Sequence, residues 1–198
     1  MASGKLIVIS APSGAGKTTI AREVMKRIPV LSFSVSATTR GQRAGEVEGK
    51  DYFFLSPDAF ARGVKDGMFV EWEELFGNRY GTLKAEVDRA LLNGEHLLFD
   101  VDVKGALAIK RQYPAALLIF IMPPDMDVLK QRLANRKTED AAAVQRRLER
   151  VPMELEQRKA FDRIVVNDVL EKAVHEVEQI VQQHLHQSIS AGSMHHDN

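Results

Sequence analysis

Cysteine is absent from the 198 residues. That excludes a disulfide framework, a thiolate-ligated zinc or iron–sulfur centre and a cysteine nucleophile. Net charge is absent too, because 27 Lys and Arg balance 27 Asp and Glu. A chain that coats nucleic acid or an anionic membrane carries a basic excess, so neither partner is expected. No stretch approaches the ~18 continuous apolar residues of a membrane span. The short apolar run after Lys5 is also too brief for the apolar region of a signal peptide. A cytoplasmic protein is expected. Repeats and low-complexity segments are lacking. What is present is ordinary: 44% hydrophobic and 27% charged residues, which argues against global disorder. The length suits one sizeable domain, or one core with a small insertion, with a radius of gyration of about 16 Å.

Short apolar runs alternate with helical patterns, which predicts an α/β fold with a parallel sheet. Residues 6–10 (LIVIS) form a continuous apolar run, as a strand buried on both faces requires. A helix to about Ile28 follows. Strands are expected at 33–37, 52–55, 69–73, 97–103, 117–122 and 163–166. Ser56-Pro57 signals a helix start, with Ser as N-cap and Pro at the first helical position. Residues 77–81 read as a turn and 82–92 as a helix. Further helices are expected at about 125–135, 139–160 and 168–187. Pro152 falls inside one of them and should kink it. His184, His186, His195 and His196 read as a helix end and a disordered tail (188–198) rather than a metal site.

The strongest local signal is Ala11-Pro12-Ser13-Gly14-Ala15-Gly16-Lys17-Thr18, followed by Thr19. It fits the phosphate-loop pattern G-x-x-x-x-G-K-[ST] except that Ala11 stands at the first Gly. Gly14 and Gly16 allow successive backbone N–H groups to turn inward around a phosphate. The helix that follows adds its positive dipole end. Lys17 supplies a mobile charge for the outer phosphates, and the Thr18 hydroxyl suits Mg²⁺. Asp100 and Asp102 are two apart on an expected strand, so both carboxylates should point to one side at its C-terminal end. An acid there, after a phosphate loop, reads as a magnesium-associated group that acts through water.

Those segments, together with SFSVSATTRGQRAGEVEGKDYFF (32–54), EWEELFGNRYGT, FDVDVKGA, the spaced arginines of QRLANRKTED and QRRL, and IVVND, form one ordered set over residues 6–168. This set resembles the guanylate kinases, which transfer phosphate from ATP to GMP. The resemblance implies a P-loop NTPase-type parallel sheet flanked by helices (1–35, 91–124 and 162–187). It implies a small GMP-binding β/α insertion (36–90) and a helical lid (125–150, its helix continuing to about 161). Ser36, Arg40, Arg43, Tyr52 and Tyr80 match positions that hold the GMP phosphate. Two arginines and three hydroxyls also suit a dianion on chemical grounds. Glu71 and Thr82, with Ser36 and Asp102, match positions that read guanine. A carboxylate accepts side-by-side bonds from guanine N1–H and N2–H₂, whereas adenine has no N1–H and would leave it partly unpaired. Arg132, Arg136 and Arg147 match lid and adenosine-side arginines, and Asn167 matches a position near the adenine.

Lys17, Arg40, Arg132, Arg136 and Arg147 are the expected catalytic set, and Mg²⁺ with ATP the expected cofactor and donor. Residues 129–150 hold seven basic side chains against three acids, a local charge of +4 inside a neutral chain. Alone, that reads as a solvated helix face; within the set it reads as a closing clamp. A catalytically silent protein-binding module of the same fold could dispense with Lys17 and the lid arginines, yet all are present. A kinase acting on a ribose bisphosphate would have no use for Glu71 and Thr82. Gly41-Gln42, Arg79 and Lys137 depart from the usual pattern without removing a ligand. Oligomeric state and use of deoxy-GMP are left open.

Overall fold

A computed structural model describes residues 4–75, 77–134 and 141–186, apart from the side chains at 133–134, 141–144 and 146. A five-stranded parallel sheet is ordered β2 (Leu31–Phe33), β7 (His96–Asp100), β1 (Leu6–Ser10), β8 (Leu117–Met122), β9 (Arg163–Val166). Every residue of β1 is buried, because the strand is central and covered on both faces. Alternation sorts its side chains. Ile7 and Ile9 join Ile20 and Val24 of α1 (Lys17–Arg27) and Val174 and Val177 of α7 (Leu170–His186) in one core. Leu6 and Val8 join Val87 of α3 (Lys84–Leu92) and Ile109 of α4 (Val103–Gln112) in another. The parallel sheet flanked by helices is the architecture expected.

A second sheet is ordered β4 (Phe53–Phe54), β3 (Ala37–Thr38), β6 (Asn78–Leu83), β5 (Phe69–Leu75). Its own small core holds Ala37, Phe69 and Phe60 of α2 (Pro57–Lys65), where the Phe60 and Phe69 rings stack at 4.3 Å. Ser56 caps α2 through Ala59 N–H, as its sequence signal predicts. Between Phe69 and Glu71 the β5–β6 register shifts. This bulge sends Phe69 to the small core and Val70 to the core shared with α3 and α4, and sets Glu71 opposite Thr82.

Three expectations need correction here. Strand β7 ends at Asp100, and Asp102 is the N-cap of α4, its Oδ1 accepting from Gly105 N–H at 2.8 Å. The two acids therefore do not share one strand face. Residues 78–83, read as a turn running into a helix, form β6, and the helix begins at Lys84. The expected strand at 33–37 divides between β2 and β3, which belong to different sheets. Helices α5 (Met126–Ala134) and α6 (Ala141–Glu156) follow β8. The second runs helical through Pro152 and passes into a 3-10 turn at Gln157–Ala160.

Candidate active site

The phosphate loop joins β1 to α1 at the C-terminal end of the sheet, where open α/β folds bind ligands. Gly14 and Gly16 adopt φ of 90° and 92°, left-handed angles that favour glycine. Gly16 caps α1 and has no side chain to satisfy the first-turn amides, which leaves that task to an anion. Asn167 fixes the turn from behind, its Nδ2 donating to Ala15 O at 2.8 Å. A Cβ on Gly16 would fall 2.5 Å from that same nitrogen. Ala11 is buried and packs into the main core, the one shared with α1 and α7.

A cavity of about 640 Å³ opens over this loop. The loop residues Ala11, Pro12, Ser13, Gly14, Ala15, Gly16, Lys17, Thr18 and Thr19 line one wall, and Glu73, Asp102, Arg147, Arg150 and Glu154 face them. Lys17 lies back along the end of β7. Its Nζ donates to Val101 O at 2.7 Å and sits 2.8 Å from Asp100 Oδ1, an ion pair not aligned as a hydrogen bond. Arg147 Nη1 donates to Ser13 Oγ at 3.0 Å. Arg150 Nη2 lies 3.3 Å from Asp102 Oδ2.

Beside the cavity, Glu71, Thr82 and Asp102 converge around Gly105. Thr82 Oγ1 donates to Glu71 Oε1 at 2.6 Å. A Cβ on Gly105 would come within 3.1 Å of Glu71 Oε2 and 3.3 Å of Asp102 Oδ1. Burial pushes the Glu71 carboxyl up; the Thr82 hydrogen bond opposes this and the Asp102 charge adds to it. A desolvated carboxylate with one oxygen committed to a hydroxyl is a selective acceptor, because an unpaired polar group there is costly.

Arg40 anchors a third cluster. Its guanidinium stacks 5.1 Å above the Tyr52 ring, and Tyr52 meets Tyr80 edge-on at 6.1 Å. In this structure Glu46 fills the Arg40 fork, with contacts of 2.7 and 3.1 Å, and also accepts from Arg43 N–H at 2.8 Å. The Arg40 hydrogen bonds hold the Glu46 carboxyl below its ordinary value, reinforced by the Arg43 amide. The Arg43 side chain is exposed. Ser36 stands just before β3, its carbonyl accepting from Phe53 N–H. Arg132 Nη2 donates to Asn167 O at 3.2 Å, while Arg132 Nη1 and Asn167 Oδ1 are buried without a hydrogen-bond partner. Arg136 lies outside the described residues, as do Lys137, His195 and His196.

The donor set fits Mg²⁺ as a nucleotide-borne ion. Among the described residues no group of three or more His, Asp or Glu forms a metal cage. Thr18, exposed at the first turn of α1, and Asp100 supply hard oxygens, and Mg²⁺ is commonly held by one or two such groups plus phosphates.

Glu73, Arg150 and Glu154 also face the cleft, though none of them was expected as a site residue. Glu73 lies two residues beyond Glu71 on β5, hence on the same face. Its carboxyl is pushed up to about 7, by burial first and then by the charges of Asp102 and Glu71, against Arg150 and Lys17. A carboxyl raised in the folded state binds more protons there than in the unfolded chain between these values. Stability should therefore fall as pH rises from about 4.5 to about 7. Glu73→Gln should flatten that fall, measured by urea unfolding across the window. An unchanged slope would contradict the placement of this carboxyl.

Comparisons with known proteins bear on the whole chain. A family model described as guanylate kinase matches residues 3–184. The chain is 51% identical to a guanylate kinase of Chlorobium luteolum, over 88% of this chain and 89% of that protein. It is 54% identical to one of Chlorobium chlorochromatii, over 89% and 93%. The crystal structure of guanylate kinase from Anaplasma phagocytophilum superposes with a TM-score of 0.70 at 29% identity, covering 92% of this chain and 87% of that one. Sequence and fold thus agree across nearly the full length, and the chain belongs to the guanylate kinase family.

Proposed function

We propose that this protein transfers the γ-phosphoryl group of ATP to GMP, giving ADP and GDP. The carrying observation is the Glu71–Thr82–Asp102 cluster, an acid set suited to reading a base, packed against the Gly105 backbone with Asp102 lining the cavity over the phosphate loop. An oxygen of the GMP phosphate bonds to the γ-phosphorus as the bond to the β–γ bridging oxygen breaks, and ADP departs with that electron pair. The acceptor phosphate has a second pKa of about 6 and is largely dianionic at neutral pH, so no general base is assigned.

The chain's task is then to align two anions and neutralise spreading charge. Loop amides and Lys17 take the ATP phosphates. Arg40 and Arg43, with Ser36, Tyr52 and Tyr80, take the GMP phosphate, for which Glu46 must yield the Arg40 fork. Arg132, Arg136 and Arg147 face the phosphates from the lid side, Arg147 already at Ser13, and Asn167 stands on the adenine side. Thr18 and Asp100 (through water) are the residues suited to Mg²⁺, which, when bound, supplies charge neutralisation on the ATP phosphates. Lid closure would also exclude water, the competing acceptor. On this reading the second sheet, 36–90, is the GMP-binding part, 125–150 the lid and the five-stranded sheet the core. A cytoplasmic location, where both nucleotides are at hand, goes with it.

The test offers Mg-ATP with GMP, AMP, CMP, UMP and ribose bisphosphate separately and follows ADP. GMP should be preferred by about 10²-fold or more, since unpaired buried acceptors reject the wrong base strongly. Equal use of AMP or of the ribose bisphosphate would overturn the assignment.

A further inference from the structure

Helix α6 grips the phosphate loop twice at one residue. Ser13 N–H donates to Glu154 Oε2 at 3.4 Å, and Arg147 Nη1 donates to Ser13 Oγ at 3.0 Å. Glu154 and Arg147 are seven residues apart, two helical turns, so both face the loop from one side of α6. Glu154 is 6% exposed and lies one turn beyond Val151, which is fully buried in the main core. Arg150 Nε stands 3.6 Å from Glu154 Oε1 while its Nη2 reaches Asp102.

Such a buried carboxylate is not explained by stability. Burying an ion pair is often no better than burying apolar groups of the same volume. What this one does is fix geometry: it ties the helix bearing Arg147 and Arg150 to the third residue of the phosphate loop.

We propose that Glu154 is a positioning residue for phosphoryl transfer, anchoring α6 through Ser13 N–H and orienting Arg150. Arg147 thereby stands at the loop before nucleotide arrives. The inference rests on the reading of Arg147 as a phosphate-facing group. The amide Glu154 uses precedes the Gly14–Gly16 turn that opens the cradle, so anchor and phosphates draw on different parts of the loop.

The chain has no cysteine, so cysteines introduced at the exposed Arg22 on α1 and Gln145 on α6 would be the sole sites for a pair of spin labels. In nucleotide-free protein, Glu154→Ala should broaden the interlabel distance distribution. Glu154→Gln should restore it, because the amide oxygen still accepts from Ser13 N–H. In kinetics on the unlabelled chain, Glu154→Ala should lower kcat about tenfold, as misplaced groups do, with the KM for GMP within about twofold. In an Arg147→Ala background the same change should cost less than about twofold, since its effect runs through Arg147. An unchanged distance distribution, no restoration by Glu154→Gln, or penalties that multiply in the double variant would each overturn the anchor. Failure of the wild-type chain to phosphorylate GMP, with the label distances as stated, would instead overturn the assigned reaction and leave the anchor standing.

Discussion

Lys17→Ala should lower kcat for ADP formation by about 10²–10³-fold, the scale on which removing one preorganised charge at a reacting centre acts. The loss should be the same with every acceptor, because Lys17 serves the donor side. Its Nζ is held at the end of β7 by Val101 O and Asp100, facing the loop it must serve. Those partners keep the ammonium near the cradle, so it travels a short way when the phosphates enter. The Asp100 side chain is only 10% exposed, and the variant leaves it without its cation. A modest drop in stability should accompany the kinetic effect, because a buried carboxylate then lacks its partner. Steady-state rates with GMP check the first effect and urea unfolding the second. A rate loss below tenfold would remove Lys17 from the transfer.

The second large effect is selective. Glu71→Gln should lower kcat/KM for GMP by about 10²–10³-fold while ATP affinity stays within about twofold, because a site built to pair donors rejects a partner it can no longer satisfy. The amide keeps one acceptor for the Thr82 hydroxyl, now 2.6 Å from Glu71 Oε1. Its nitrogen then faces the base with a donor where guanine also presents donors. Two N–H groups confront each other in a desolvated pocket, each unpaired at a cost of about 1–3 kcal/mol. Titration with ATP alone separates this from a general collapse of the cleft. Unchanged GMP kinetics would strip Glu71 of its role.

The two variants divide what could be read from the chain. The phosphate loop was legible because its chemistry is local: eight consecutive residues carry the turn, the charge and the helix start. The strand at 117–122 was legible for the same reason, as an uninterrupted apolar run covered on both faces, and the edge strand at 163–166 from its β-branched run Ile164–Val166, of which only Val165 is buried. Strand β6 was not, because Asn78, Arg79, Tyr80 and Gly81 carry turn chemistry that pairing with β5 overrides. Helix α4 escaped because it starts directly at its cap, Asp102, without a loop to announce it. That one misplacement is why Asp102 was read as sharing a strand face with Asp100. The bulge beside Val70 has no sequence signature, yet it aims Glu71. Glu73, Arg150 and Glu154 gained meaning only from residues distant in sequence, such as Asp102 and Ser13. Arg79, which departs from the family's usual aromatic, lies over Trp72 at 5.9 Å and so retains a stacking contact there.

Strand β1 carries a consequence for how the protein is made. It leaves the ribosome first among the strands, yet its partners are β7 and β8, with Leu6 beside Leu97 and Ile7 beside Leu117. Helix α1 waits longer still, for α7. Parallel pairing of this kind closes large loops before any contact repays them, which slows folding. A growing chain therefore carries the bare run LIVIS, with no nucleotide site behind it, until β8 has emerged. During that interval a strand that is wholly buried in the finished core stands exposed and aggregation-prone. Assistance from a chaperone, if the cell supplies it, has its natural target at the very strand that later bears the phosphate loop.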